Sequence, residues 1–392
     1  MKNVVIVGAK RTAIGDYLGA LKSKSVTDLG VIAAVAAMEQ AGIQPNVVEE
    51  VACGNCNKTG QKASPGRQIQ IKAGCPVEGF GYTIDQQCSS GMKATDMIYQ
   101  SILTGNAEIG LAVGSECMSQ APYMLKGARE GYRMGNGVLQ DTMLDDGLVC
   151  AMMGYHMGIT AENVAERYGI SREAQDEQAY LSHSRAVKAI QDGVFKSQIV
   201  PVPIKTRKGE VLFDTDEHPR ADISVEKLAA MKPAFKKDGS VTAGNASGLN
   251  DGASAMVLMS DNKAKELGCK PMARIVAISS AGVEPAYMGI GPIYAVPKVL
   301  KKAGLELKDI DYFEINEAFA AQYLACEREL KIDPAKVNHN GSGIGLGHPV
   351  GCTANRIIMA LIYELERTGG RYGLASLCVG GGPAMAAIIE KL

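Results

Sequence analysis

An internal repeat constrains this chain more than any other feature. With an offset of 262 residues, Ala41-Gly42-Ile43 overlays Ala303-Gly304-Leu305, Val48 overlays Ile310, and Val51 overlays Phe313. Each copy reads as a helix ending at Ala-Gly, a polar turn, and a strand that opens into a loop. Upstream, Val4–Gly8 corresponds loosely to Arg274–Ile278. Downstream, Cys88-Ser89-Ser90-Gly91 and His348-Pro349-Val350-Gly351 each open a helix that leads to a Gly-rich strand. Two similar halves follow, 1–117 (completed by about 251–269) and 270–392. Between them, 118–250 breaks the pattern with Gly, Met, charged pairs and Pro201-Val202-Pro203, and reads as an inserted loop domain.

Short apolar runs alternate with helical stretches, the signature of an α/β architecture with sheets buried on both faces. The expected strands are Val4–Val7, Gly110–Val113, Ala255–Met259, Arg274–Ile278, Tyr312–Ile315, Leu374–Val379 and Met385–Ile389. The expected helices are Val26–Ala41, Ser90–Leu103, Ala161–Tyr168, Arg172–Gln191, Ile293–Ala303 and Ala354–Arg367. Thr160 and Ser171 stand where helix caps belong, Glu162 and Glu173 where first turns favour acid, and Gly169 and Gly193 where helices stop.

At 392 residues the chain exceeds what one hydrophobic core usually spans, and 46% hydrophobic with 21% charged residues excludes disordered and fibrous classes. A net charge of −1, with no run of like charges, argues against nucleic acid as a partner. The longest strongly apolar stretch, Leu29 to Met38, is about half of the ~18 residues a membrane span needs. Met1-Lys2-Asn3 runs into Val4-Val5-Ile6-Val7 without a leader pattern, and Glu390-Lys391-Leu392 is not a Ser-Lys-Leu address, so the expected location is cytoplasmic. Ten scattered cysteines then read as reduced thiols.

Ligands of open α/β sheets sit at the carboxyl ends of strands. If the halves pack about a pseudo-twofold axis, the Cys88 and His348 loops face each other, and the repeat joins two distant residues into one site. Competing fingerprints fail: there is no Gly-Lys for a Walker A loop, no G-x-G-x-x-G, no G-x-S-x-G and no H-E-x-x-H. Cys53-Gly54-Asn55-Cys56 has no second pair, so neither a metal nor a redox role is expected. Cys88 opens a helix whose dipole and free N–H groups favour a thiolate, though a buried structural thiol fits the local sequence equally. Cys378 ends an apolar strand before Gly380-Gly381-Gly382, a setting for an anion-binding nest or simply for a core cysteine. Asn316 begins a polar insertion after a strand, a donor or a mere cap. His348, between glycines and Pro349, is a fixed base or a surface histidine. Together the four loops offer a nucleophile, a donor, a base and a second thiol, which suits acyl transfer.

On these residues the chain resembles the thiolase family, the acyl-CoA:acetyl-CoA C-acyltransferases, over essentially its whole length. The resemblance rests on Cys88-Ser-Ser-Gly91, Met157-Gly-Ile-Thr-Ala-Glu-Asn-Val164, Val241-Thr-Ala-Gly-Asn-Ala-Ser-Gly-Leu-Asn-Asp-Gly252, Asn316-Glu-Ala-Phe-Ala320, Gly347-His-Pro349 and Cys378-Val-Gly-Gly-Gly382. It implies a five-layered α-β-α-β-α fold built from two repeated halves, an inserted loop domain that holds coenzyme A, and a homotetramer. It also implies reversible acetyl or acyl transfer between CoA thioesters, with acetyl-CoA, acetoacetyl-CoA and CoA as partners and no metal or redox cofactor.

By the same resemblance Cys88 accepts the acyl group, His348 activates it, Asn316 holds a water in an oxyanion hole, and Cys378 exchanges the α-proton. The backbone of Gly380 joins that of Cys88 in a second oxyanion hole. CoA contacts map to Leu148, His156, Met157, Phe235, Ala243, Ser247, Leu249, Met288, Ala318 and Phe319, with Arg220 facing the nucleotide end. The Met143–Met157 stretch otherwise reads as flexible core filling, and His183, His218 and His339 as structural. The chain departs from the family pattern at Asp85, at Gly341-Ser-Gly-Ile-Gly345 and at Pro383-Ala384, all of which bear on acyl length. A longer-chain 3-ketoacyl-CoA thiolase and a non-catalytic acyl-CoA-binding protein are the alternative readings. Decarboxylating synthases of the same fold pair the Cys with two His, where this chain has Cys378.

Overall fold

A computed structural model of the chain describes residues 3–392. Its main strands are β1 (Val4–Thr12), β2 (Glu50–Gly54), β3 (Phe80–Ile84), β4 (Ile109–Cys117), β5 (Asn250–Ser260), β6 (Ala273–Gly282), β7 (Tyr312–Ile315), β8 (Tyr372–Cys378) and β9 (Pro383–Lys391). They pair in the order β7-β8-β9-β6-β1-β5-β4-β2-β3. The halves meet at a short seam, Val5 opposite Arg274 and Ile6 opposite Ala273. Outward from that seam each half runs antiparallel, antiparallel, then parallel. The repeat in the sequence is therefore a repeat in sheet topology.

The helices that matter are α1 (Val26–Ala41), α2 (Pro65–Lys72), α3 (Ser90–Thr104), α4 (Met157–Tyr168), α5 (Arg172–Gln191), α6 (Gly291–Ala303), α7 (Ala320–Leu330) and α8 (Val350–Thr368). The repeated Ala-Gly is a helix stop: Gly42 and Gly304 adopt φ of 71° and 67°, a left-handed conformation open to glycine at no steric cost. Along β1, Val4 and Ile6 face α3 and α8, whereas Val5 and Val7 face α1. Successive strand side chains point to opposite faces, so a strand covered on both sides reads as an unbroken apolar run. Helices α1 and α2 cover one half of the sheet, α3 and α8 pack together in the middle, and α6 covers the other half. The layers are thus α-β-α-β-α, as the resemblance implies.

Most expected elements are present, and α1 and α5 match residue for residue. Most strands run longer than their apolar cores because ladder pairing continues past them; β2 is the strand that the repeat places around Val51, and β3 has no counterpart among the expected elements. The expectation for α4 needs correction. It begins at Met157, not Ala161, and Thr160 is interior. The cap is His156, whose Nδ1 accepts from Gly158 N at 3.0 Å. Glu162 is accordingly not a first-turn acid; it is buried and accepts from Ser240 N and Val241 N. The segment 118–250 supplies α4, α5 and a hairpin of Val202–Thr206 with Gly209–Phe213, and Ile199–Val200 pairs in parallel with β1. Among the described residues no helix is long and apolar enough to cross a membrane.

Candidate active site

A cavity of about 530 Å³ lies where the inserted segment meets the ends of the strands. Its floor holds Cys88, just ahead of α3, with His348, just ahead of α8, and Gly380, just after β8. Its walls hold Leu148, His156, Met157, Phe235, Ala243, Ser247, Leu249, Met288, Ala318 and Phe319, and Arg220 stands among them as an exposed cation. Every residue expected to touch CoA therefore lines one cavity. Asn316 and Cys378 do not line it; both are fully buried behind its wall. Cys378 packs there with Met157, Met288, Ala318 and Phe319.

The aromatic wall has a specific construction. His156 stacks on Phe235 with ring centroids 4.6 Å apart, and Phe235 meets Phe319 edge-on at 6.2 Å. Gly158 makes this possible, since a Cβ there would fall 2.2 Å from the Phe235 ring. Around Cys88 the lining is aliphatic: Cys56, Met118, Met143 and Val350 form a buried cluster against it.

The polar groups are arranged with few internal partners. His348 Nδ1 lies 2.7 Å from Thr353 Oγ1, whose hydroxyl donates to Pro349 O at 3.0 Å. The hydroxyl's proton is thus committed, so Nδ1 carries the ring proton and donates. Nε2 is left as a bare acceptor, buried and without a partner in the protein. Burial, reinforced by Arg356, pushes the imidazole pKa down to about 3. Both amide atoms of Asn316 are likewise unpartnered and buried.

Cys88 differs from expectation. Its sulfur faces the backbone N–H groups of Gly380 and of Cys88 itself, which favour a thiolate, yet burial outweighs them and pushes the thiol up to about 11. A dipole at the mouth of a helix cannot offset the loss of water. Burial, followed by the nearby Cys88, raises the Cys378 thiol well above its ordinary range. At neutral pH the resting site is therefore two thiols and a neutral imidazole.

Other sequence expectations need amendment. His218, read as structural, lines the cavity and bonds through Nδ1 to Asp16, which also accepts from Asn250 Nδ2 at 3.2 Å. His183 sits behind it, ring centroids 5.8 Å apart, and His339 is engaged with Glu364. The Met143–Met157 stretch is not uniform filling: Met143 and Met157 are buried, Met152 and Met153 exposed. Asp16, Tyr17, Met118, Leu144 and Val350 also line the cavity and carried no local signal. Among the described residues no cluster of three or more His, Cys, Asp or Glu is poised to hold a metal.

Comparison with known proteins accounts for this arrangement. The N-terminal domain of the thiolase family matches residues 4–262 and its C-terminal domain residues 269–391. Acetyl-CoA acetyltransferase of Pseudomonas aeruginosa is 50% identical over the whole of both chains. The structure of acetyl-CoA acetyltransferase from Syntrophomonas wolfei superposes with a TM-score of 0.98 at 52% identity, covering all of both chains. Human mitochondrial 3-ketoacyl-CoA thiolase gives 0.97 at 41%, covering 100% of this chain and 99% of the other. A doubled sheet, a cavity floored by two loops of the repeat and full-length likeness agree: the chain belongs to the thiolase family of acyltransferases.

Proposed function

We propose that the protein transfers acetyl groups reversibly between CoA thioesters, joining two acetyl-CoA into acetoacetyl-CoA and CoA, and cleaving the product by thiolysis. The observation that carries this reading is that Cys88 and His348, whose Nε2 is bare, line one largely apolar cavity. His348 Nε2 takes the Cys88 proton as sulfur attacks the acetyl-CoA carbonyl. The oxyanion receives hydrogen bonds from the N–H groups of Cys88 and Gly380, each such donor being worth about 2.7–4 kcal/mol. CoA leaves as a thiolate and takes the proton back from His348. Cys378 passes its proton to His348 Nε2, and the thiolate so formed removes an α-proton from a second acetyl-CoA, whose enolate oxygen accepts hydrogen bonds from the protonated Nε2 and from the Asn316 water site. Its carbon attacks the acetyl-enzyme, and Cys88 leaves as a thiolate that takes the Nε2 proton. No metal or redox cofactor is called for, because each step exchanges one thioester for another.

Acetyl-CoA, acetoacetyl-CoA and CoA are the proposed ligands, docked on walls built by the inserted segment together with Met288, Ala318 and Phe319 of the C-terminal half. The likeness to a 3-ketoacyl-CoA thiolase supports a second reading, acceptance of longer chains, which relative kcat/KM for acetoacetyl-CoA and longer 3-ketoacyl-CoAs decides. A homotetramer is supported by exposed apolar side chains on 123–139, among them Met134 at 98% and Val138 at 73%, and by the uncovered edge of β3. Ten free cysteines support a reducing, cytoplasmic location. The decisive experiment is brief incubation with acetoacetyl-CoA, acid quench and peptide mass analysis. The acetyl group is expected on Cys88; its appearance on another cysteine overturns the assignment.

A further inference from the structure

One buried carboxylate joins the two halves at the site, and the chemistry above gives it no part. Glu116, in β4, is fully buried. Its Oε1 accepts from Asn55 Nδ2 at 2.7 Å and Asn57 N at 3.2 Å. Its Oε2 accepts from Cys56 N at 3.0 Å and Gly351 N at 3.0 Å. Three of these donors belong to the loop after β2, where Cys56 packs against Cys88. The fourth, Gly351, follows closely on His348 in the first turn of α8 and belongs to the opposite half of the repeat. The approach is close: a Cβ on Gly351 would stand 2.8 Å from Asn55 Cα. Other side chains also hold this turn's backbone: Asn250 Oδ1 accepts from His348 N at 2.9 Å, Thr353 Oγ1 donates to Pro349 O at 3.0 Å, and Ser254 Oγ donates to Cys352 O at 3.4 Å, but none of them reaches the loop that supports Cys88.

We infer that Glu116 is a positioning residue for acyl transfer: its carboxylate pins the first turn of α8, and with it His348, against the loop that supports Cys88. The inference rests on the roles proposed for Cys88 and His348. Two effects of the carboxylate must be separated. As an acceptor it anchors four donors. As a charge it works against the nucleophile, since it helps raise the pKa of the Cys88 thiol. The groups facing it are Asp85 and the thiols of Cys53, Cys56, Cys88, Cys117 and Cys352, each thiol raised in part by this charge. Burial pushes Glu116 itself up to about 7 against the pull of its N–H donors. What the reaction gains from Glu116 is the anchor, not the charge.

Two conservative variants divide these effects. Glu116→Gln removes the charge and keeps the hold on the α8 turn: the remaining oxygen still accepts from Cys56 N and Gly351 N and is within 3.4 Å of Asn57 N, while the unpartnered Asn55 Oδ1 can turn to accept from the new Nε2 at the loss of the 3.3 Å bond from Asn55 Nδ2 to Ser115 O. Glu116→Asp keeps the charge but is one methylene short of spanning both halves. Acetylation of Cys88 by acetyl-CoA needs the His348 base, whereas alkylation by iodoacetamide needs only the thiolate. Glu116→Asp is expected to slow acetylation roughly 10- to 100-fold, the usual consequence of a displaced catalytic group, with alkylation unchanged. Glu116→Gln should acetylate within about tenfold of wild type while its alkylation midpoint moves to lower pH, since a nearby negative charge is gone. Wild-type acetylation in Glu116→Asp, or an equal loss in both variants, overturns the inference. Should Glu116→Asp fail to fold by circular dichroism, folded Glu116→Gln decides alone: retention within about tenfold supports the anchor, and a larger loss overturns it. His348→Asn, run alongside, tests the underlying roles. If it acetylates normally, those roles fall and the inference with them; if it is blocked while Glu116→Asp is not, only the inference falls.

Discussion

The loops carrying Cys88 and His348 hold equivalent places in the two halves, each ahead of one of the paired helices α3 and α8, yet their surroundings differ. Cys88 is half-buried with backbone N–H groups facing its sulfur, whereas His348 is sealed to 5% exposure with its Nδ1 tied to Thr353 and its Nε2 left bare. Burial drives both toward neutrality, the thiol up to about 11 and the imidazole down to about 3. A thiolate–imidazolium pair is thus strongly disfavoured at rest, and charge develops only as the carbonyl is attacked. Topological symmetry places the two groups; local hydrogen bonding assigns them opposite parts. In the proposed reaction the thiol facing N–H groups serves as the nucleophile and the ring with one bare nitrogen as the base.

The largest effect expected from breaking this pair is at His348, to which the proposed mechanism gives a part in both half-reactions. In His348→Asn the base is lost in acylation and a donor is lost at the enolate. General acid–base catalysis is typically worth 10²–10⁴-fold and an oxyanion donor about 10²–10³-fold. Acetylation of Cys88 and thiolysis of acetoacetyl-CoA should both collapse. Loss of thiolysis with acetylation intact would show that His348 belongs to the second step alone.

Cys378→Ser should sharpen the same contrast by harming only one half-reaction. Serine keeps a proton-bearing group of similar size, but its pKa lies far above operating pH, so α-proton transfer should fall about 10²–10⁴-fold. Acetylation of Cys88 requires no α-proton removal and should continue. The measurement is solvent deuterium exchange into acetyl-CoA beside uptake of acetyl label. Exchange at the wild-type rate would move the base elsewhere, with His348 first to be tested.

The sequence revealed more of the placement than of the chemistry. The helix stops at Gly42 and Gly304, the Ser171 cap of α5 and the repeat itself are local patterns, and the repeat returns in the sheet topology. Thr160 misled because it mimics a cap, while the true cap is a histidine ring nitrogen, a group that cap signals do not include. The state of Cys88 stays open between thiolate and buried thiol at the level of sequence, because helix position is visible there and desolvation is not. Glu116, Thr353 and Asp16 were invisible for another reason: the partners of Glu116 and Asp16 lie as far as 235 and 234 residues away, and Thr353 acts only once α8 has turned it toward the ring.

The smallest effect is expected at the far end of the cavity, where binding rather than chemistry is at stake. There the segment bearing His218 and Arg220 is pinned from below: Arg11 grips Asp216 with paired bonds of 2.7 and 2.9 Å in the buried interior, and Asp216 also accepts from Ile14 N at 2.8 Å. That fixes the backbone near Arg220 while its guanidinium stays exposed. An exposed cation interacts with a phosphate through water and salt, so its contribution is modest, about 1 kcal/mol or less. Arg220→Ala should therefore raise KM for acetyl-CoA only about 2- to 5-fold, leave kcat unchanged, and leave KM for acetyl-pantetheine, which lacks the nucleotide, at its wild-type value. Ser247→Trp, placed against the inner wall where Ser247 N bonds Ala318 O at 3.0 Å, should raise KM for both substrates. A fall in kcat with Arg220→Ala, or an equal rise in KM for acetyl-pantetheine, would mean that the two ends of the cavity are coupled and that the division between binding walls and reacting loops is wrong.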